Sequence, residues 1–155
     1  YYSLFYSLIT YGILVWGNTY ENSLKPIIIL QKRVVHVMSF SKWDAHAQPI
    51  FASLELLKFP DIIFLSNAII MFQYKNNLLP KAFDGYFQSV SASHNYRTRL
   101  ASKSSFRTPA IRTNYGKFNL SYVGPTIWNN LDENIKSLSL KTFKAKMKIS
   151  CLQKY

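Results

Sequence analysis

The chain has 155 residues, 48% of them hydrophobic and 16% aromatic, which is enough for a buried core and excludes a disordered polyelectrolyte. Nineteen Lys and Arg against seven Asp and Glu give a net charge of +12, a sign that favours polyanionic partners, nucleic acid before acidic lipid. A single cysteine, Cys151, excludes an internal disulfide framework and a cysteine-rich metal site, and fits a reducing, intracellular compartment.

In chain order, Tyr1–Trp16 carries Leu4, Leu8, Tyr11 and Val15 on one helical stripe and Phe5, Ile9, Gly12 and Trp16 on the next. Apolar residues on both stripes predict a helix buried on most sides, entering from a longer protein. The segment is shorter than the ~20 apolar residues that a spanning helix needs, and it lacks a basic leader.

A second helix is expected from an Asn22 or Ser23 cap to about Met38, with Pro26 tolerated in its first turn. Leu24, Ile27, Ile28, Leu30, Val34, Val35 and Met38 form its core face. Lys25, Lys32 and His36, with Arg33 beside them, set a basic strip on the other side, either a solvated face or a phosphate-contacting one. A short helix follows around Pro49–Leu57. Pro60 in a first turn and Asp61 at the positive end of a dipole then open a long helix to about Tyr74, apolar nearly all round and central to a core.

From Asp84 to about Tyr115 the periodicity fails, and the segment reads as a long loop with room for one short edge strand or hairpin at Phe106–Thr113. Lys117–Leu131 predicts a helix bent or restarted at Gly124-Pro125, with Phe118, Tyr122 and Trp128 as core. A Ser139 cap opens the last element, Leu140 to about Cys151. There Leu140, Phe143, Met147 and Cys151 face Lys141, Lys144 and Lys148 across an amphipathic basic helix. The fold class is therefore mainly α: a small helical bundle with a long basic loop and a C-terminal amphipathic helix.

Charge is concentrated in the second half. Residues 1–84 hold seven Lys and Arg against five acids, whereas residues 85–155 hold twelve against two. Between Gly85 and Leu131 stand six basic residues and eight aromatics without one Asp or Glu, a mixture that suits phosphates and bases. Composition alone slightly favours an ordinary basic loop with a small aromatic core beneath it. Arg97, Arg99, Lys103, Arg107, Arg112 and Lys117 are the candidate phosphate contacts of this stretch. Tyr96 and Tyr115 are candidates for stacking on an unpaired base.

Catalytic signatures are missing. The adjacent acids Asp132 and Glu133 lie in a loop rather than on a rigid element, and His36, His46 and His94 are not at metal-ligand spacing. No Gly-rich phosphate loop, nucleophile elbow or Cys/His pair occurs. No catalytic residue, metal site or cofactor is assigned.

The wording of the chain adds a resemblance. Tyr11-Gly12, Val15-Trp16-Gly17 and Leu30-Gln31-Lys32-Arg33 come first. They are followed in order by His46 with Pro49 and Phe51, Leu54 to Leu57, Tyr74-Lys75 and Asn77-Leu78-Leu79-Pro80. His94-Asn95-Tyr96 with Thr98-Arg99, and Arg112-Thr113, come next. Gly116-Lys117, Ser121-Tyr122, Gly124-Pro125, Trp128-Asn129 with Leu131, and Phe143-Lys144 complete the series. It resembles the region just past the polymerase core in LINE-type, jockey-like non-LTR retrotransposon reverse transcriptases. Departures are Asp132, where the family usually has proline, and the segment Gln48-Pro49-Ile50.

The resemblance implies residues 1–40 as the end of a thumb-like helical region and 41–84 as the helical core of a C-terminal extension. It implies a basic loop over 85–116 and C-terminal helices over 117–155. It further implies a non-catalytic piece of an RNA-directed DNA polymerase whose catalytic aspartates and Mg lie upstream. The implied partners are RNA or DNA and the upstream polymerase domain of the same polyprotein, with no membrane. The implied location is a cytoplasmic ribonucleoprotein and the nucleus. A scaffold that packs on the polymerase without touching nucleic acid is the alternative.

Overall fold

The computed structural model describes residues 1–42, 44–93 and 105–155. Among them the chain is mainly helical. It divides into two compact units, Tyr1–Leu65 with Ala145–Tyr155, and Ser66–Lys144.

The first unit opens with a π-helical turn, Tyr2–Tyr6, running directly into α1 (Ser7–Thr10). Gly12 in the left-handed region (φ 61°) then breaks the helix, and α2 (Ile13–Trp16) restarts after it. Of the stripe Phe5, Ile9, Gly12 and Trp16, Ile9 is buried and Phe5 and Trp16 pack against the same core, which also takes in Ile13 with Leu24, Leu57, Phe59, Ile62 and Cys151. The other stripe is not packed. Leu4, Leu8, Tyr11 and Val15 are 75–88% exposed, so the expectation of one helix buried on most sides is corrected to a broken helical segment with these four apolar side chains open.

α3 (Glu21–Ser39) starts earlier than the Asn22 or Ser23 cap predicts. Tyr20 stands at the cap position and its side chain does not cap the helix, and Pro26 falls inside the helix rather than in its first turn. The carbonyl of Asn22, deprived of the Pro26 N–H, belongs to an exposed residue that water can reach. After α4 (Ala47–Ser53) the chain enters α5 (Phe59–Lys75), whose start is capped from outside. Phe59 N–H donates to Gln31 Oε1 at 2.8 Å, Pro60 has no N–H to satisfy, and Asp61 N–H reaches Lys58 O at 3.0 Å. Gln31 Nε2 also donates to Leu57 O (2.9 Å) and to the Tyr1 hydroxyl (2.8 Å), so one buried carboxamide joins α3 to the α4–α5 connection.

Three helices end in the same way. Phe40 after α3, Glu55 after α4 and Asn77 after α5 take positive φ (51°, 50° and 54°). In each case the next N–H reaches back to the last turn: Ser41 to His36 O, Leu56 to Phe51 O, and Leu78 to Gln73 O. Asn suits this position, whereas Phe and Glu bear a Cβ cost there.

The second unit is built on the C-terminal part of α5 and an aromatic core. Phe72, Trp128 and Phe143 meet at ring distances of 4.5–6.4 Å, and Phe106 packs on Trp128 at 6.3 Å. The expected edge strand is reduced to one antiparallel bridge, Ser89 with Phe106, flanked by Arg107 N–H to Gln88 O (2.7 Å) and Val90 N–H to Ser105 O (3.0 Å). α6 (Val90–Ser93) follows Ser89 directly, and a 3-10 turn spans Gly116–Phe118.

α7 (Leu120–Asn129) is one helix and not two. Asn119 caps it through Ser121 N–H, and Pro125 lies within it without a restart. Gly124 is required there because a Cβ would collide with the Met71 sulfur and crowd Phe87. Asn129 closes the unit from the end of α7: its Nδ2 donates to Phe106 O (2.8 Å) and its Oδ1 accepts from Phe106 N–H (3.0 Å). This side-chain amide serves Phe106 as a second strand would. α8 (Glu133–Lys136) and α9 (Leu140–Leu152) follow. Ser139 caps α9 as predicted, accepting from Thr142 N–H at 3.3 Å, and Phe143, Met147 and Cys151 are buried along it.

Candidate nucleic-acid interface

In the first unit the candidate contacts are on α3. Lys25, Lys32 and Arg33 are exposed, two turns apart or adjacent on a 19-residue helix, so their charges follow its axis over about 10 Å. His36 differs. It is half-buried, and its Nδ1 shares a hydrogen bond with Ser41 Oγ (2.8 Å), which Ser39 Oγ also contacts at 2.8 Å. This imidazole belongs to the C-terminal cap of α3.

Lys32 also faces a cleft of about 390 Å³ whose lining includes Glu21, His46, Gln48, Phe51 and Lys58. Lys58 is partly engaged there, its ammonium 4.0 Å from the Tyr155 ring. The Tyr155 hydroxyl donates to Asp61 Oδ2 (2.6 Å) and accepts from Lys58 N–H (2.7 Å). Burial, and then the hydrogen bond to the Asp61 carboxylate, push this phenol well above its ordinary value. Burial likewise pushes the Cys151 thiol up, with the Asp61 charge adding to it, which fits a packed apolar residue rather than a reactive one.

In the second unit Arg107, Arg112 and Lys117 are exposed. Among the described residues, neither these three nor Lys25, Lys32 and Arg33 make a side-chain hydrogen bond or an ion pair. The ion pair that is present, at 2.8 Å, joins the buried Lys136 ammonium to the exposed Glu133 carboxylate and sets the ammonium 5.6 Å from the Trp128 ring centre. Glu133 is therefore a packing partner, and Asp132 beside it is the cap residue of α8. Arg97, Arg99 and Lys103, together with Tyr96, lie outside the described residues. Tyr115 is exposed and packs edge-on to Phe118 at 6.5 Å.

Arg107 lines a cleft of about 440 Å³ with Tyr86, Phe87, Gln88, Pro109 and Ser121, all within this unit. Tyr86 was not among the residues singled out by sequence. One tyrosine among eleven carries no periodic or motif signal, and its place beside Arg107 comes from the Ser89–Phe106 bridge.

Among the described residues no three His, Cys, Asp or Glu side chains gather where they could hold a metal ion, and no helix is long and apolar enough to cross a membrane. No protein-family model, curated protein or solved structure compared with the chain matches it.

Proposed function

We propose that this chain is a non-catalytic, nucleic-acid-binding region of a LINE-type retrotransposon RNA-directed DNA polymerase, contacting template–primer or element RNA through its basic side chains. The observation that carries the binding part is the set of six exposed, uncompensated cations, Lys25, Lys32, Arg33, Arg107, Arg112 and Lys117, on a chain of charge +12. Cations held in salt bridges would have to break them to reach phosphate, and these do not. The assignment to a retroelement polymerase rests on the ordered resemblance of sequence, as do the upstream polymerase partner and the nuclear and ribonucleoprotein location.

Binding of this kind releases counterions. The logarithm of affinity for an oligonucleotide should fall linearly with the logarithm of salt, with a slope of about −0.7 to −0.9 per phosphate contacted. Fluorescence anisotropy between 50 and 200 mM salt measures it, and the triple variant K25E/K32E/R33E should flatten the slope by about two to three. An affinity that is indifferent to salt, or absent at 50 mM, defeats the proposal.

A second reading is favoured by one observation, the open side chains of Leu4, Leu8, Tyr11 and Val15. Four large exposed apolar side chains, set on both sides of the Gly12 break, suit a protein partner, here the upstream polymerase domain. In a longer chain that includes that domain, these residues would be shielded from proteolysis or labelling without nucleic acid. If they stay accessible, the scaffold reading fails.

A further inference from the structure

We propose that the Tyr86–Arg107 cleft is a pocket for one unpaired nucleotide, Tyr86 stacking on the base and Arg107 meeting the adjoining phosphate. The inference rests on the nucleic-acid reading above and adds to it a site and a preference for single strands.

Both residues project from anchored backbone. Phe106, immediately before Arg107, is held on both backbone groups by the Asn129 carboxamide, and Arg107 N–H donates to Gln88 O at 2.7 Å. The Phe106 ring is buried and packs on Tyr74 (5.6 Å) and Phe87 (6.1 Å). Tyr74 in turn donates its hydroxyl hydrogen to Phe87 O at 2.9 Å. The guanidinium therefore extends from a fixed point, which reduces the ordering cost of a phosphate contact.

Tyr86 is oriented by two edge-on contacts, Phe83 at 6.0 Å and Phe87 at 4.9 Å, yet remains 45% exposed. Its hydroxyl has only a long contact to Asn119 Oδ1 (3.4 Å), which leaves the ring as the functional part. An oriented, half-open aromatic ring provides a stacking platform, and every base has a π-face to meet it.

The polar lining suits the same ligand. Among the described residues the side chains of Gln88 and Ser121 make no hydrogen bond across the cleft, so a carboxamide and a hydroxyl are available to a base edge or sugar. Among the described residues no carboxylate lines the cleft to repel a phosphate. Its volume of about 440 Å³ is in the range of small-ligand sites. A base inside a duplex is already stacked on its neighbours and cannot enter, which is why the occupant is an unpaired nucleotide.

The test uses the full chain, a labelled single-stranded oligonucleotide, the same strand with abasic sites, and the corresponding duplex. Y86L keeps an apolar side chain on Phe83 and Phe87 while removing the stacking face, and circular dichroism checks that it folds. The expected result is an affinity loss of about 5- to 150-fold for the intact single strand, with the salt slope and duplex binding unchanged. Abasic substitution should weaken the parent but not Y86L. R107A should reduce both affinity and slope, the slope by about one.

If Y86L weakens single strand and duplex equally, or neither, while K25E/K32E/R33E still flattens the salt slope, the cleft is not a nucleotide site and the general reading survives. Equal binding of abasic and intact strands by the parent overturns the pocket in the same way. Failure of the parent to bind any strand at 50 mM salt overturns both. An acidic peptide that competes with the single strand and is itself weakened by Y86L would reassign the cleft to a protein ligand.

Discussion

Replacing Gln31 by leucine tests the joint on which the first unit is built. The side chain is 1% exposed and satisfies three partners, two of them backbone groups of buried residues: Phe59 N–H at 2.8 Å and Leu57 O at 2.9 Å. Leucine has a similar volume and no polar atom, so both groups are left without a partner in a site that water does not reach. Each unsatisfied group costs about 1–3 kcal/mol, or about 2–6 for the pair. Burying an apolar side chain in place of an amide offsets about 1–2 of that. The net loss should be about 1–4 kcal/mol, felt first at the N-terminus of α5, where Gln31 supplies the only cap that Phe59 has among the described residues. Urea titration followed by circular dichroism should show a lower midpoint at constant slope. Hydrogen exchange should show the Phe59 amide protected in the parent and released in Q31L. A stability change below about 0.5 kcal/mol, or a Phe59 amide that exchanges freely in the parent, would refute the capping role.

Phe40 is 97% exposed at φ 51°, so F40G should remove a Cβ penalty while losing almost no buried surface, raising stability by about 0.5–1 kcal/mol in the same titration. In the second unit, E133A should destabilise by about 1–2 kcal/mol because it strands the Lys136 ammonium, whereas K136M, which retains packing against Trp128, should be close to neutral. The raised phenol of Tyr155 keeps its proton in the folded chain at pH values where the unfolded chain loses it, near the ordinary value of 10.0. Its contribution is therefore complete below pH 10 and is lost as pH rises through the folded-state value. Y155F should cost about 1–2 kcal/mol at neutral pH through the Asp61 and Lys58 hydrogen bonds, and should make the fall in stability above pH 10 less steep. Equal steepness in the two proteins would count against it.

The long helices were legible because periodicity and end signals agreed. α5 reads from Pro60 and Asp61 at its start to Asn76-Asn77 at its end, and α9 from Ser139 to its Phe143–Met147–Cys151 stripe. What lay out of reach has a common physical cause, that a side chain's partner is set by tertiary structure. The two apolar stripes of residues 1–16 look alike in sequence, yet Phe5, Ile9 and Trp16 find cover within their unit while Leu4, Leu8, Tyr11 and Val15 stay exposed. Periodicity reports that a face is apolar and not what covers it. Gln31 was visible in another sense: a carboxamide on the stripe of Leu24, Ile28 and Val35 is a polar atom sent into a core and must have partners there. Its partners, Leu57 and Phe59, lie a loop and a helix away and follow no local spacing.

The words that carried the family resemblance have structural duties where they are described. Gly124 admits the Met71 sulfur, Trp128 is the centre of the aromatic core, and Asn129 holds the Phe106 backbone. None of these is among the residues that line the Tyr86–Arg107 cleft, yet each bears on it. Asn129 fixes the residue before Arg107, and Gly124 allows α7 to approach Met71 and Phe87, the neighbour of Tyr86. Motif and site are thus separate layers of one unit: motif residues position a backbone, and adjacent residues without any motif present chemistry from it. N129A should accordingly weaken single-strand binding together with R107A rather than in addition to it, since it frees the backbone from which the guanidinium that R107A removes extends. Additive losses in the double variant would show that Asn129 acts on stability alone.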